Sequence, residues 1–213
     1  NNKIFLGEFI ASCFLVMVIV GSGIMAENLT NDNAVRLLAN TIATGAGLFV
    51  LITAFANISG AHLNPFVSLS MYLTKRIKGK ELLTFIPAQI LGCLLGVMLA
   101  NVFFEHSIIE LSTKNRDGFH IFLSEIVATF GLIFIIFATL KDGKTTVAAC
   151  VATYISAGYW FTSSTSFANP AVAIARTFTD SFTGINYLNT PTYIFAELLG
   201  AIVAIYIIKR LIK

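Results

Sequence analysis

Two asparagine–proline pairs carry the chemistry available to this sequence: Asn64-Pro65 and Asn169-Pro170. A side-chain amide offers N–H donors and a carbonyl acceptor, so each asparagine can hold a passing hydroxyl or water oxygen without bearing a charge. Asn is favoured at a helix N-cap and Pro at the first helical position. Each pair therefore reads as the start of a helix. Ahead of them lie Ser59-Gly60-Ala61-His62 and Ser163-Ser164-Thr165-Ser166. Irregular backbone of this kind persists at membrane depth only where it lines water or packs within protein. Its carbonyls then form a ladder of acceptors, assigned to Gly60, Ala61, His62 and Leu63 in one loop and to Thr165, Phe167 and Ala168 in the other. Pro65, Phe66, Pro170 and Ala171 complete the expected midplane. Two such helices entering from opposite faces bring their positive ends together.

The elements that position these pairs are apolar. The chain has 213 residues, 56% hydrophobic and 12% charged, against about 45–50% apolar for soluble domains. A bilayer core needs about 20 mostly apolar residues per helix. Six stretches approach that: 4–24, 34–56, 82–104, 119–140, 145–162 and 192–208. The runs from Asn64 and Asn169 are too short to span and read as re-entrant half-helices. The chain opens on Asn rather than Met, so no targeting segment is assigned, and the first apolar stretch is read as a helix that stays. Lys3, Lys75, Arg76, Lys78, Lys80, Lys141, Lys144, Lys209, Arg210 and Lys213 fall on one side of six spans. Arg36, Lys114, Arg116 and Arg176 fall on the other. The positive-inside rule then puts both termini in the cytoplasm. The net charge of +3 is a topology signal and implies no nucleic-acid partner.

An internal repeat organises the whole. Gly7-Glu8 is echoed by Ser124-Glu125 at an offset of 117, Asn64-Pro65 by Asn169-Pro170 at 105, and Ala88-Gln89-Ile90-Leu91-Gly92 by Ala196-Glu197-Leu198-Leu199-Gly200 at 108. Each half, about 1–110 and 118–213, holds three spans, so the second copy must be inverted across the membrane, a recurring transport architecture. A single domain over 1–213 is expected, because each half would leave its half-helix unpacked without the other.

With these motifs the chain resembles the major intrinsic protein family, the aquaporins and glycerol facilitators. The resemblance covers essentially the whole chain. Ser59-Gly60-Ala61-His62-Leu63-Asn64-Pro65 is very close to the family's first loop, and Asn169-Pro170-Ala171 is its full second signature. Phe66 departs from the usual Ala. The resemblance implies an all-α membrane channel of six transmembrane helices and two half-helices, a homotetramer with one pore per subunit, no cofactor, and cation exclusion by half-helix dipoles as in aquaporins. It also implies that Glu8 and Glu125, costly carboxylates in apolar spans, accept hydrogen bonds from the re-entrant loops.

The family usually has an arginine three residues after the second Asn, where this chain has Val172. Arg176 lies seven residues after it, about 10 Å further along a helix, at the outer vestibule; snorkelling or pairing with Asp180 is the structural alternative. Ungapped spacing puts Thr44, Ala157, Ser166 and Val172 in the filter, a ring of small residues without fixed charge. That pattern resembles bacterial members associated with arsenic handling. It predicts a wide channel for water, glycerol-like polyols and arsenous acid. The alternatives are a water-selective channel, an inverted-repeat secondary transporter using Glu8, Glu125 or Glu197, and a non-conducting structural member. No nucleophile–base pair, metal-ligand spacing or phosphate loop points to an enzyme. Cys13, Cys93 and Cys150 read as buried apolar residues, His62 as contributing its carbonyl to the pore line rather than binding metal, and Asn28-Leu29-Thr30 as a weak glycosylation sequon in the first outer loop.

Overall fold

The computed structural model describes residues 2–211. Lys213, counted above among the basic residues of one side, lies outside the described residues. Helices α1 (Asn2–Leu29), α2 (Asn33–Phe55), α4 (Gly79–Phe103), α5 (Phe119–Thr139), α6 (Lys144–Phe161) and α8 (Thr190–Leu211) are the long ones. Between them lie two short helices, α3 (Pro65–Leu73) and α7 (Pro170–Ala175). Five long helices have the length and apolarity to cross a membrane. The sixth, α6, has 18 residues, about 27 Å at 1.5 Å per residue. It is less apolar because it carries Thr145, Thr146, Thr153, Tyr154, Ser156 and Tyr159; Tyr159 is buried on the cavity wall, whereas Thr145 and Thr153 are exposed. The sequon is not in a loop: Asn28 and Leu29 end α1.

The two halves fold alike. Pro65 and Pro170 open α3 and α7, and Asn64 and Asn169 cap them. Asn64 Oδ1 accepts the Phe66 N–H at 2.9 Å and the Val67 N–H at 3.5 Å. Asn169 Oδ1 accepts the Ala171 and Val172 N–H groups at 3.1 and 3.4 Å. These bonds satisfy donors that a helix start leaves unpaired.

In the first half α1 packs on α4; in the second α5 packs on α8. Glycines set the spacing. A Cβ on Gly92 would lie 2.3 Å from the Phe9 carbonyl oxygen, and one on Gly200 would lie 2.4 Å from the Ile126 oxygen. Helix backbones thus touch through small residues, as membrane helices do where lipid removes the hydrophobic drive for packing. Leu6, Phe14, Ile42, Leu83, Phe103 and Trp160 point outward and are exposed, whereas Glu8, Gln89, Glu125 and Glu197 are fully buried. Apolar outside and polar within is the pattern of a protein solvated by lipid.

Candidate pore and its walls

The re-entrant loops obey one rule in both halves. Gly60, Ala61 and Leu63 adopt positive φ in the first loop; Thr165, Ser166 and Ala168 do so in the second. The pairs Gly60/Thr165, Ala61/Ser166 and Leu63/Ala168 are each 105 residues apart, the spacing of the two asparagines. Left-handed backbone costs a non-glycine residue about 1–3 kcal/mol, so something must hold it. Buried carboxylates do. Glu8 Oε1 accepts the His62 N–H at 3.1 Å and the Ser59 hydroxyl at 2.6 Å, and Glu8 Oε2 accepts the Leu63 N–H at 2.7 Å. Glu125 Oε1 accepts the Phe167 N–H at 3.0 Å and Oε2 the Ala168 N–H at 2.8 Å. With the amides turned toward the carboxylates, carbonyls are left for the opposite side.

Behind each glutamate sits a repeat-related partner. Gln89 Nε2 donates to Glu8 Oε2 at 2.8 Å and to Ser68 Oγ at 2.9 Å. In the second half Glu197 Oε1 accepts the Asn169 N–H at 2.9 Å. The halves are also joined directly. Asn64 Nδ2 donates to the Ala168 carbonyl at 2.6 Å, and Asn169 Nδ2 donates to the Leu63 carbonyl at 2.7 Å. Each amide thereby commits one hydrogen to the other half's loop, leaving one for a solute.

A cavity of about 360 Å³ passes both asparagines. Arg76 and Lys144 stand at one end and Tyr159 and Arg176 at the other. One flank is apolar, with Leu48, Ile52, Leu132, Ile136, Val151 and Ile155; the other is formed by Gly60, Ala61, His62 and Leu63 and by Ser166, Phe167 and Ala168. Thr165 is not on the wall. Pro65, Phe66, Pro170 and Ala171 are buried but are not on the wall either, because a half-helix beginning there turns away from the lumen. The His62 ring is also turned away: Nδ1 lies 3.0 Å from Ser68 Oγ and the ring stacks on Phe85 at 4.2 Å.

Of the expected filter residues, Thr44, Ser166 and Val172 reach the cavity. Ala157 does not; it is exposed on the far side of α6. That helix turns Ile155 and Tyr159 inward, and two residues from either is roughly the opposite face. Tyr159 donates to Thr44 Oγ1 at 3.2 Å. An aromatic therefore belongs to this wall, contrary to the small-residue ring expected from spacing. Helical periodicity carried forward one turn from Ile155 would have found it. A fixed charge belongs there too. Arg176 is 2% exposed, lies on the cavity wall, and rests 3.5 Å from the Phe167 ring centroid. It does not pair with Asp180, whose carboxylate accepts from Thr113 N and Oγ1.

A loop scaffold closes this end. Ser112 N donates to the Thr177 carbonyl at 2.9 Å and Asn186 N to the Lys114 carbonyl at 2.8 Å. Lys114 Nζ and Arg116 Nη2 both reach the Phe182 carbonyl, at 2.6 and 3.0 Å. Burial, then the neighbouring Arg116 and Arg176, pull Lys114 down to about 8. An unfolded lysine titrates near 10.4. The folded chain therefore binds this proton less tightly, and the penalty is present below pH 8 and relieved as pH rises toward 10. Between pH 7.5 and 9.5 the thermal midpoint is expected to gain a component that Lys114→Met lacks. Identical pH profiles for the two proteins in a thermal-melt assay would contradict it.

This architecture has relatives. A family model described as Major intrinsic protein matches residues 1–162. The aquaglyceroporin AqpS of Rhizobium meliloti (strain 1021) is 46% identical over 206 residues, which is 97% of this chain and 88% of that one. The chain belongs to the major intrinsic protein family. Within that family, the aquaporin TIP1-2 of Musa acuminata is 36% identical over 149 residues, 67% of this chain and 58% of its own. In three dimensions the chain shares the fold of the aquaglyceroporin from Plasmodium falciparum, with a TM-score of 0.76, 22% identity, and coverage of 99% of this chain and 96% of that one. The match to the family model ends before Asn169, whereas the similarity to AqpS and the shared fold cover 97% and 99% of this chain.

Proposed function

We propose that this protein is a passive membrane channel for water and small uncharged solutes, glycerol-like polyols among them, with arsenous acid as a further solute of similar shape and charge. The observation that carries the reading is the wall of the cavity: apolar side chains on one flank, loop carbonyls and two half-free asparagine amides on the other, and no fixed charge between its ends. Such a wall replaces the hydration of a neutral hydroxylated solute but not that of an ion. The similarity to an aquaglyceroporin supports the same solute class.

In this reading Asn64 and Asn169 form the midplane, Glu8 and Glu125 anchor the loops, and Thr44, Ser166 and Val172 line the filter. The whole chain acts as one domain, since the cross-bonds between the two asparagines leave neither half complete. Both termini lie in the cytoplasm, supported by the distribution of lysine and arginine. The assembly is a homotetramer with a pore in each subunit, and native mass spectrometry of the detergent-solubilised protein reads the subunit number.

Stopped-flow shrinkage of proteoliposomes tests the reading. Glycerol and water flux are both expected above empty vesicles; water flux alone would favour the second reading, a water-selective channel, which Tyr159 and Arg176 at one end of the cavity support. Val172→Arg is expected to cut glycerol flux about tenfold or more, the effect of about 1.4 kcal/mol at a filter contact, and to cut water flux less. Equal loss of both would count against Val172 lining the filter.

A further inference from the structure

Position 172 holds no cation, yet the cavity has one. Arg176 follows α7 in a short 3-10 turn, Arg176–Phe178, and its guanidinium is buried against Phe167 on the cavity wall. Its Nε donates to the Thr183 carbonyl. Among the described residues, neither terminal nitrogen has a protein acceptor, and no carboxylate forms an ion pair with it. A buried guanidinium normally has its donors satisfied. Two unsatisfied nitrogens beside a lumen are a place for something that passes through.

The side chain is held in that position from three directions. Phe167 lies beneath it, and the Phe167 ring is itself packed 4.8 Å from Tyr193. Thr183 is 1% exposed. It is seated on α1, where a Cβ on Gly23 would lie 2.3 Å from Thr183 Cγ2, and its hydroxyl lies 3.1 Å from Ser181 Oγ. The Arg176 carbonyl accepts the Ile185 N–H at 3.2 Å. Carboxylates of the surrounding segments are otherwise engaged: Glu125 accepts the Phe167 and Ala168 N–H groups, Glu27 Oε2 accepts the Phe182 N–H at 2.6 Å, and Asp180 takes Thr113.

We propose that Arg176 is the specificity-determining cation of this pore, presenting its two free terminal nitrogens to hydroxyl or carbonyl oxygens of neutral solutes at the Tyr159–Thr44 end of the cavity. The inference rests on the channel reading above and deepens it. A planar guanidinium offers two parallel donors to a polyol, whereas a water molecule uses one. Removing it should therefore change solute and water flux unequally.

The test is flux through proteoliposomes holding wild type, Arg176→Gln, Arg176→Lys or Lys114→Met, with glycerol and water measured on each. Arg176→Gln is expected to shift the glycerol-to-water permeability ratio by about threefold or more, the size of a partial hydrogen bond to a charged group. Arg176→Lys keeps the charge but loses the planar fork, and is expected to shift the ratio as well. Should the glutamine variant not be recovered folded, the lysine variant alone decides. Lys114→Met removes a cation of the neighbouring 104–118 loop that is not on the wall, and is expected to leave the ratio unchanged. A folded Arg176 variant with the wild-type ratio, or a Lys114→Met shift of equal size, overturns the assignment while leaving the channel standing. A wild type that passes neither glycerol nor water overturns the channel reading, and the role of Arg176 with it.

Discussion

Replacing Glu125 by alanine is expected to abolish glycerol and water flux and to lower the thermal midpoint of the solubilised protein. The carboxylate is fully buried and holds the Phe167 and Ala168 N–H groups. Without it, two buried donors lose their acceptor, at about 1–3 kcal/mol each. The same loop carries Thr165, Ser166 and Ala168 in the left-handed region, strain that those bonds hold in place. Once released, the loop relaxes toward ordinary backbone, and the Ala168 carbonyl turns away from the Asn64 amide that it now accepts. Loss should thus spread to the other half. Glu125→Gln keeps an acceptor oxygen and is expected to retain part of the flux. Wild-type flux in a folded Glu125→Ala protein would sink the anchoring role.

The second large effect is expected at Gly92 and Gly200. An added methyl at either would meet the carbonyl of the facing helix, Phe9 or Ile126, at 2.3 or 2.4 Å. Neither contact is with a side chain that can swing aside, so α1 and α4, or α5 and α8, must part along their length. Overpacking of this kind costs about 1–3 kcal/mol or more. Gly92→Val and Gly200→Val are expected to give little monodisperse protein by size-exclusion chromatography. Gly21→Ala is the control: its Cβ would sit 3.5 Å from Phe104, an ordinary contact. If all three behave alike, close backbone approach does not set the helix spacing.

Much of this was legible because it is written in residue type. Asn at an N-cap with Pro after it, and a glutamate inside an apolar span, each have few physical explanations, and the repeat gave both a second copy. The long helices followed from apolar length, although α6, short and rich in Thr, Ser and Tyr, gives the weakest signal. What stayed hidden depends on directions that spacing does not carry. Between Ala157 and Asn169 the chain passes a turn whose left-handed residues change its path, so ungapped spacing misplaces Ala157, which lies outside. Tyr159 took that wall instead. The mutual bonds between each asparagine and the opposite loop join positions more than 100 residues apart, and no local pattern announces them. Arg176 was visible as a charge seven residues past Asn169, but its burial against Phe167 requires the fold.

The left-handed loops have a consequence for how such a pore can vary over time. A point mutation replaces a side chain; it leaves a carbonyl oxygen where it was. Because much of the polar flank here is main chain, its chemistry is largely out of reach of single substitutions at Ala61, Leu63 or Ala168, provided the turn survives. Heritable change in the chemistry of the lumen is therefore left to the side chains that face it, those of the apolar flank and Thr44, Tyr159, Val172 and Arg176 at one end. Selection can retune the entrance many times without rebuilding the passage.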